Sequence, residues 1–125
     1  MDAKKFFTNK SFCVLPWTGF ELEANGDVKN CIISKEVLGN INDTDIQDIM
    51  SNAKNLQLKK DMNADSKPYN CSGCHLQELH RKDPSSISSR LYYNRELGKD
   101  YLKQKKEFSL HHVDLRWTNH CNQAC

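Results

Sequence analysis

Six cysteines carry most of the chemistry this chain can offer: Cys13, Cys31, Cys71, Cys74, Cys121 and Cys125. Two pairs are close in sequence, "CSGC" at 71–74 and "CNQAC" at 121–125. A tight CxxC turn lets two thiolates point at one centre while its backbone N–H groups donate to the bound sulfurs. An isolated buried thiol packs as a small hydrophobe, which accounts for Cys13 alone but not for two close pairs. A disulfide framework calls for secretion, and the start "MDAKKFFTNKSF" is too short and polar for a signal peptide. Metal or cluster ligation is left as the favoured chemistry. One form of it is a structural zinc module, with Cys13, Cys31, Cys71 and Cys74 closing a tetrahedral site worth about 10–16 kcal/mol of apparent folding free energy. Zinc modules usually present paired CxxC knuckles, whereas Cys13 and Cys31 are lone and widely spaced. A thiol oxidoreductase at Cys71 and Cys74 would need a thioredoxin-type strand–helix setting, which "NCSGCH" lacks. His75 and His80 read as residues of a surface helix.

The elements that must position these cysteines follow from the punctuation. "WTGFELEANGDVKNCII" alternates apolar and polar residues around Asn25-Gly26, so strands are expected at about 18–24 and 27–33 with a type I′ turn. Such a hairpin brings Cys13 and Cys31 to the same end of the ribbon. Gly39-Asn40 reads as a turn. Thr44 followed by Gln47 has the form of a capping box, placing a helix start near Asp45, with Ile46, Ile49 and Met50 as its apolar stripe. A second helical segment restarts at Ser51-Asn52, with Leu56, Leu58 and Met62 expected inward. Leu76 and Leu79 suggest a short helix after the CxxC turn, ending before Pro84. "SSISSRLYYNRELGKDYLKQKKEF" is a polar helical stretch that Gly98 is expected to interrupt, and Lys103, Lys105 and Lys106 read as a solvated face. "HHVDLRWTN" puts Val113, Leu115 and Trp117 on one face of a strand that feeds directly into Cys121 and Cys125.

Composition sets the bounds. The apolar fraction is 38% and the mean hydropathy −0.76, low enough that a metal staple is expected to support the core. A net charge of +2, from 18 basic against 16 acidic residues, gives no field that implies nucleic acid or membrane. No stretch approaches the ~18 apolar residues of a membrane span. The expected compartment is the cytoplasm, where thiols stay reduced.

Taken together, these residues resemble a known family. "VDLRWTNHCNQAC" is similar to the first strand and cluster loop of radical S-adenosylmethionine (AdoMet) enzymes, whose CxxxCxxC motif commonly has Asn after its first cysteine, as in Cys121-Asn122. The resemblance implies that Cys121 and Cys125 are the first two of three ligands to a 4Fe–4S cluster whose fourth iron chelates AdoMet. The third would fall beyond Cys125, so the sequence is expected to be truncated inside its catalytic motif. Cys13, "GDVKNC" from Gly26 to Cys31, and "CSGC" resemble the twitch/SPASM auxiliary domain that accompanies many such enzymes, as do "PW" after the first cysteine and "LGN" before the helix. This implies one auxiliary 4Fe–4S cluster on Cys13, Cys31, Cys71 and Cys74. A full SPASM domain would place a further cysteine at His80, and auxiliary domains usually follow the core rather than precede it.

The implied fold class is α+β: a small β-hairpin and helices around the four-cysteine site, then a helix and the first strand of a truncated (β/α) barrel. The implied divisions are 1–83 for the auxiliary domain, 84–109 for a helical linker and 110–125 for the start of the core. The resemblance further implies AdoMet as cofactor of the complete protein, a radical AdoMet core as partner, and a reductant such as flavodoxin or ferredoxin. Neither membrane nor nucleic acid is expected among its partners, and the substrate is not legible.

Overall fold

The structure, a computed structural model, describes residues 9–83 and 87–116. Cys121, Cys125 and Trp117 lie outside the described residues. The architecture is α+β, with a mixed four-stranded sheet flanked by helices.

The chain enters through an extended segment and a single turn of helix, α1 (Leu15–Thr18), with Pro16 in its first turn, where a missing N–H costs nothing. Strand β1 (Gly19–Leu22) follows and pairs antiparallel with β2 (Asp27–Lys29), Glu21 opposite Lys29 and Leu22 opposite Val28. The hairpin stands where it was expected, but its turn is not type I′. That turn needs positive φ at both central residues, and only Gly26 has it, at +94°. The Gly26 N–H instead closes a turn onto the Glu23 carbonyl at 2.9 Å, and Glu23 N–H bonds Asp27 O at 2.9 Å. The result is a three-residue loop with a left-handed glycine, and Asn25 serves through its side chain, accepting from Asp27 N–H at 3.0 Å.

Gly39-Asn40 is not a turn but a short strand, β3 (Gly39–Asn40), paired with β2. The expected strand near the C-terminal end is β4 (His112–Leu115), and it joins the same sheet, parallel to β1. The strand order is β3-β2-β1-β4. Gly19 is what lets β4 approach so closely: a Cβ there would stand 2.5 Å from the His112 carbonyl oxygen.

Asp45, rather than Thr44, caps α2 (Ile46–Met50), its carboxylate accepting from Gln47 N–H at 2.9 Å. Asn52 caps α3 (Ala53–Asn63). The buried stripe of α3 is Asn55, Leu58, Lys59 and Met62, while Leu56 turns outward. Asn55 was invisible as a core residue because it is polar. Its Nδ2 donates to the Pro16 and Met50 carbonyls and its Oδ1 accepts from Asn30, so burial leaves no group orphaned. After α3, Asp65 and Lys67 adopt left-handed φ of 57° and 52°, turning the chain back so that Lys67 N–H reaches Ser11 Oγ.

A short 3₁₀ turn at Tyr69–Cys71 leads into α4 (Ser72–Leu79). Leu76 and Leu79, which suggested this short helix, lie on it and are 55% and 74% exposed. Helix α5 (Ser89–Lys103) runs unbroken through Gly98, which is buried rather than a break.

Two apolar clusters result. Phe20, Val28, Ile49, Met50 and Phe108 fill the space between one sheet face and α2. Phe12, Val14, Leu15, Trp17, Leu58 and Met62 form the other, with Tyr93, Leu97 and Tyr101 of α5 packed against it. The opposite sheet face is polar, and Glu21 lies buried on it between Lys29 and Asp114. Burial is the main cause that pushes its carboxyl above the ordinary range, with Glu23 adding to it. A raised native pKa means the folded state holds the proton longer, so stability falls as pH rises through and above the ordinary carboxylate range. Glu21→Gln is therefore expected to raise the melting temperature at neutral pH and to lose that advantage in acid, where the wild-type carboxyl is neutral in both states. Thermal denaturation across that range checks it.

Candidate metal centre

Cys13 sits in the extended segment that precedes α1, and that segment is held at both edges. Asn9 Oδ1 accepts from the N–H groups of Ser11 and Phe12 at 2.7 and 2.8 Å. From the other side, Asn94 of α5 accepts from Val14 N–H at 2.9 Å and donates to Phe12 O at 3.0 Å. Cys31 follows β2 in a turn closed by Ser34 N–H onto the Cys31 carbonyl at 3.1 Å. Cys71 ends the 3₁₀ turn and Cys74 lies in the first turn of α4. Gly73, between them, comes within van der Waals reach of Ile33, so the CxxC turn packs on the Cys31 turn.

These three segments bring Cys13, Cys31, Cys71 and Cys74 together around one cavity of about 50 Å³. Leu15, Pro16, Ile33, Met62 and Tyr93 give it largely apolar walls. The hairpin accounts for the meeting of Cys13 and Cys31, as the sequence implied. The return of the CxxC turn depends on the left-handed residues after α3, which the sequence did not announce. Cys121 and Cys125 fall outside the described residues. His80 is exposed at the end of α4, and His75 is half-buried beside Cys74.

All four thiols are free. Burial pushes Cys31 up to about 11 and Cys71 up to about 12, and raises Cys13 and Cys74 as well, with neighbouring cysteines adding to the rise at Cys13, Cys31 and Cys71. Burial is the first cause at Cys74 too. Left to itself, such a pocket keeps its sulfurs protonated. A bound cationic centre is what makes four adjacent thiolates affordable in an apolar cavity.

Donors are already aimed at the sulfurs. Backbone N–H groups point at Cys13 from Leu15, at Cys31 from Ile33 and at Cys74 from Arg90, while the N–H groups of Ser34 and Ser89 bond the Cys31 carbonyl and Gln77 Oε1. Hydrogen bonds of this kind are how proteins stabilise ligating thiolates and tune the centre they hold. Among the described residues no three ligating side chains stand at the spacing of one metal ion. The donor set around the cavity is all-sulfur and four in number, the ligand chemistry of an iron–sulfur cluster.

A family model described as SPASM, an iron-sulfur cluster-binding domain, matches residues 13–75, just over half of the chain. The chain belongs to the SPASM family. The match opens on Cys13 and closes one residue past Cys74, so it spans the four cysteines that share the cavity. No curated protein and no solved structure matches the chain.

Ser89, Arg90 and Tyr93 of α5 line the same SPASM cavity from beyond the matched range. Sequence reading missed them, because α5 looks polar throughout. The signal that could have found them is a stripe at helical spacing, Arg90, Asn94, Leu97 and Tyr101, which is the face turned to the Cys13 segment.

Proposed function

We propose that Cys13, Cys31, Cys71 and Cys74 hold one 4Fe–4S cluster in an auxiliary domain that serves radical AdoMet chemistry. The observation that carries this is the convergence of four buried cysteines from three segments on one cavity, within the SPASM match. The SPASM match across these four cysteines supports a cluster over zinc at this site.

Such a cluster supplies one-electron chemistry when bound, and with every iron held by a thiolate it offers no open position for AdoMet. The chain's own residues do the rest. Leu15, Met62, Ile33 and Tyr93 exclude water from the sulfurs, and the aimed N–H groups offset part of the thiolate charge. The roles that fit are electron transfer and fixing the domain against its core.

In this reading residues 1–83 form the auxiliary domain, 84–109 a linking helix and 110–125 the start of a radical AdoMet core, with Cys121 and Cys125 as ligands of the core cluster. The edge position of β4 supports it. One side of β4 bonds parallel to β1, and among the described residues no strand occupies the other, where a parallel core sheet could continue. Radical chemistry of this kind would use AdoMet, with flavodoxin or ferredoxin as reductant.

The test is spectroscopic. Cys121→Ala, reconstituted with iron and sulfide without oxygen, should give a cluster reduced reversibly by dithionite, with a paramagnetic signal that AdoMet leaves unchanged. A signal altered by AdoMet would mean an open iron and would sink the closed-site assignment.

A further inference from the structure

We propose that the N-terminal end of α5 is a working part of the cluster pocket: the backbone N–H and the guanidinium of Arg90 set the reduction potential of the centre and hold it above the value four thiolates alone would give. This rests on the cluster assignment above.

Helix α5 lies outside residues 13–75 and would ordinarily be regarded as a connection to whatever follows. Its first turn nevertheless faces the cavity. Ser88 caps the helix, accepting from Leu91 N–H at 3.5 Å and donating to Glu78 at 2.7 Å. Ser89 N–H donates to Gln77 Oε1 at 3.1 Å, and the N–H of Arg90, the second of the helix, is directed at Cys74 sulfur. The positive end of a 15-residue helix thus stands against one ligand.

Arg90 adds a full charge. It is 5% exposed and lines the cavity. Its Nη1 donates to the carbonyls of Phe12 and Asn9 at 3.0 and 3.1 Å, and its Nε lies 2.7 Å from Glu78 Oε1. The guanidinium acts electrostatically on Cys74 and Cys71, while Glu78 acts with opposite sign on Cys74. Reduction adds one negative charge to a cluster, so a nearby buried cation favours the reduced form and a nearby carboxylate opposes it. At this burial, salt screens little of either effect. Arg90 is not the sole tie on its segment, because Asn94 also donates to Phe12 O. A neutral substitution therefore leaves that carbonyl paired.

The experiment is a potentiometric titration with dithionite, followed by paramagnetic resonance, on the full chain carrying Cys121→Ala so that only the four-cysteine cluster is read. Arg90→Met should disfavour reduction about tenfold, a shift of ~59 mV to more negative potential for one electron. Glu78→Gln should shift it the other way, and Arg90→Lys should stay closer to the parent than Arg90→Met does. Opposite signs from two members of one ion pair are what a purely structural role does not produce. Shifts of the same sign, or none with iron content unchanged, overturn the proposal. So does an Arg90→Met chain that folds by circular dichroism but holds no cluster, because Arg90 is then scaffold. A parent chain with no iron–sulfur chromophore instead refutes the cluster assignment itself, which separates the two failures.

Discussion

Cys71→Ala is expected to abolish cluster binding, dropping iron from about four per chain to near zero at this site, while Cys121→Ala keeps all four. The difference follows from position. Cys71 shares the cavity with Cys13, Cys31 and Cys74, whose walls are largely apolar and carry no carboxylate among the described residues to replace a lost thiolate. His80 is exposed at the end of α4, and no third ligating side chain stands at single-ion spacing among the described residues. Cys31→Ala should behave as Cys71→Ala does and should also loosen the hairpin end, because the Cys31 turn packs on Gly73 through Ile33. Iron and sulfide assays with visible absorbance check this series. Full iron retention in Cys71→Ala, or equal losses in Cys71→Ala and Cys121→Ala, would remove the division into two groups of cysteines.

Asn94→Ala is expected to be among the most destabilising single changes in the chain. Asn94 is 1% exposed and holds Val14 N–H and Phe12 O, both in the buried segment that carries Cys13. Truncation leaves Val14 N–H without its side-chain acceptor, while Phe12 O keeps its bond from Arg90. Each orphaned buried group costs about 1–3 kcal/mol, and the vacated side chain adds a cavity. Asn94→Asp keeps the shape and the acceptor for Val14 N–H but buries a carboxylate against Phe12 O, so it too should unfold earlier than wild type. Arg95→Ala, one residue on and exposed, serves as the control, its pairing with Glu96 being a surface contact worth at most about 1 kcal/mol. Urea unfolding midpoints rank the three. An Asn94→Ala midpoint equal to that of Arg95→Ala would contradict this account of the Cys13 segment.

The same residue marks where sequence reading stopped. The hairpin was legible because alternation and Asn25-Gly26 are local, and the four cysteines that share the cavity were legible because cysteine is rare and its spacing is a pattern. The α2 cap moved by one residue because Asp45 competes with Thr44 for the same donors, and aspartate is the better N-cap. Polar residues inside the core were not legible at all. Asn55, Asn94 and Arg90 look like surface positions until their partners are known, and those partners are backbone groups far away in sequence. Leu56 failed in the opposite direction, an apolar residue expected inward that the fold leaves outside. Periodicity names a stripe but not the element that covers it. Gly98 was expected to break α5 by propensity, a cost of about 1 kcal/mol that burial of the helix face readily overrides.

The central claim is that four cysteines of a SPASM domain hold an iron–sulfur cluster rather than zinc. The most direct measurement is metal and acid-labile sulfide per chain, on protein purified without oxygen and offered iron with sulfide or zinc in parallel. About four irons and four sulfides, retained in Cys121→Ala and lost in Cys71→Ala, is the predicted result. One tightly held zinc per chain, with no stable iron–sulfur chromophore, would contradict it.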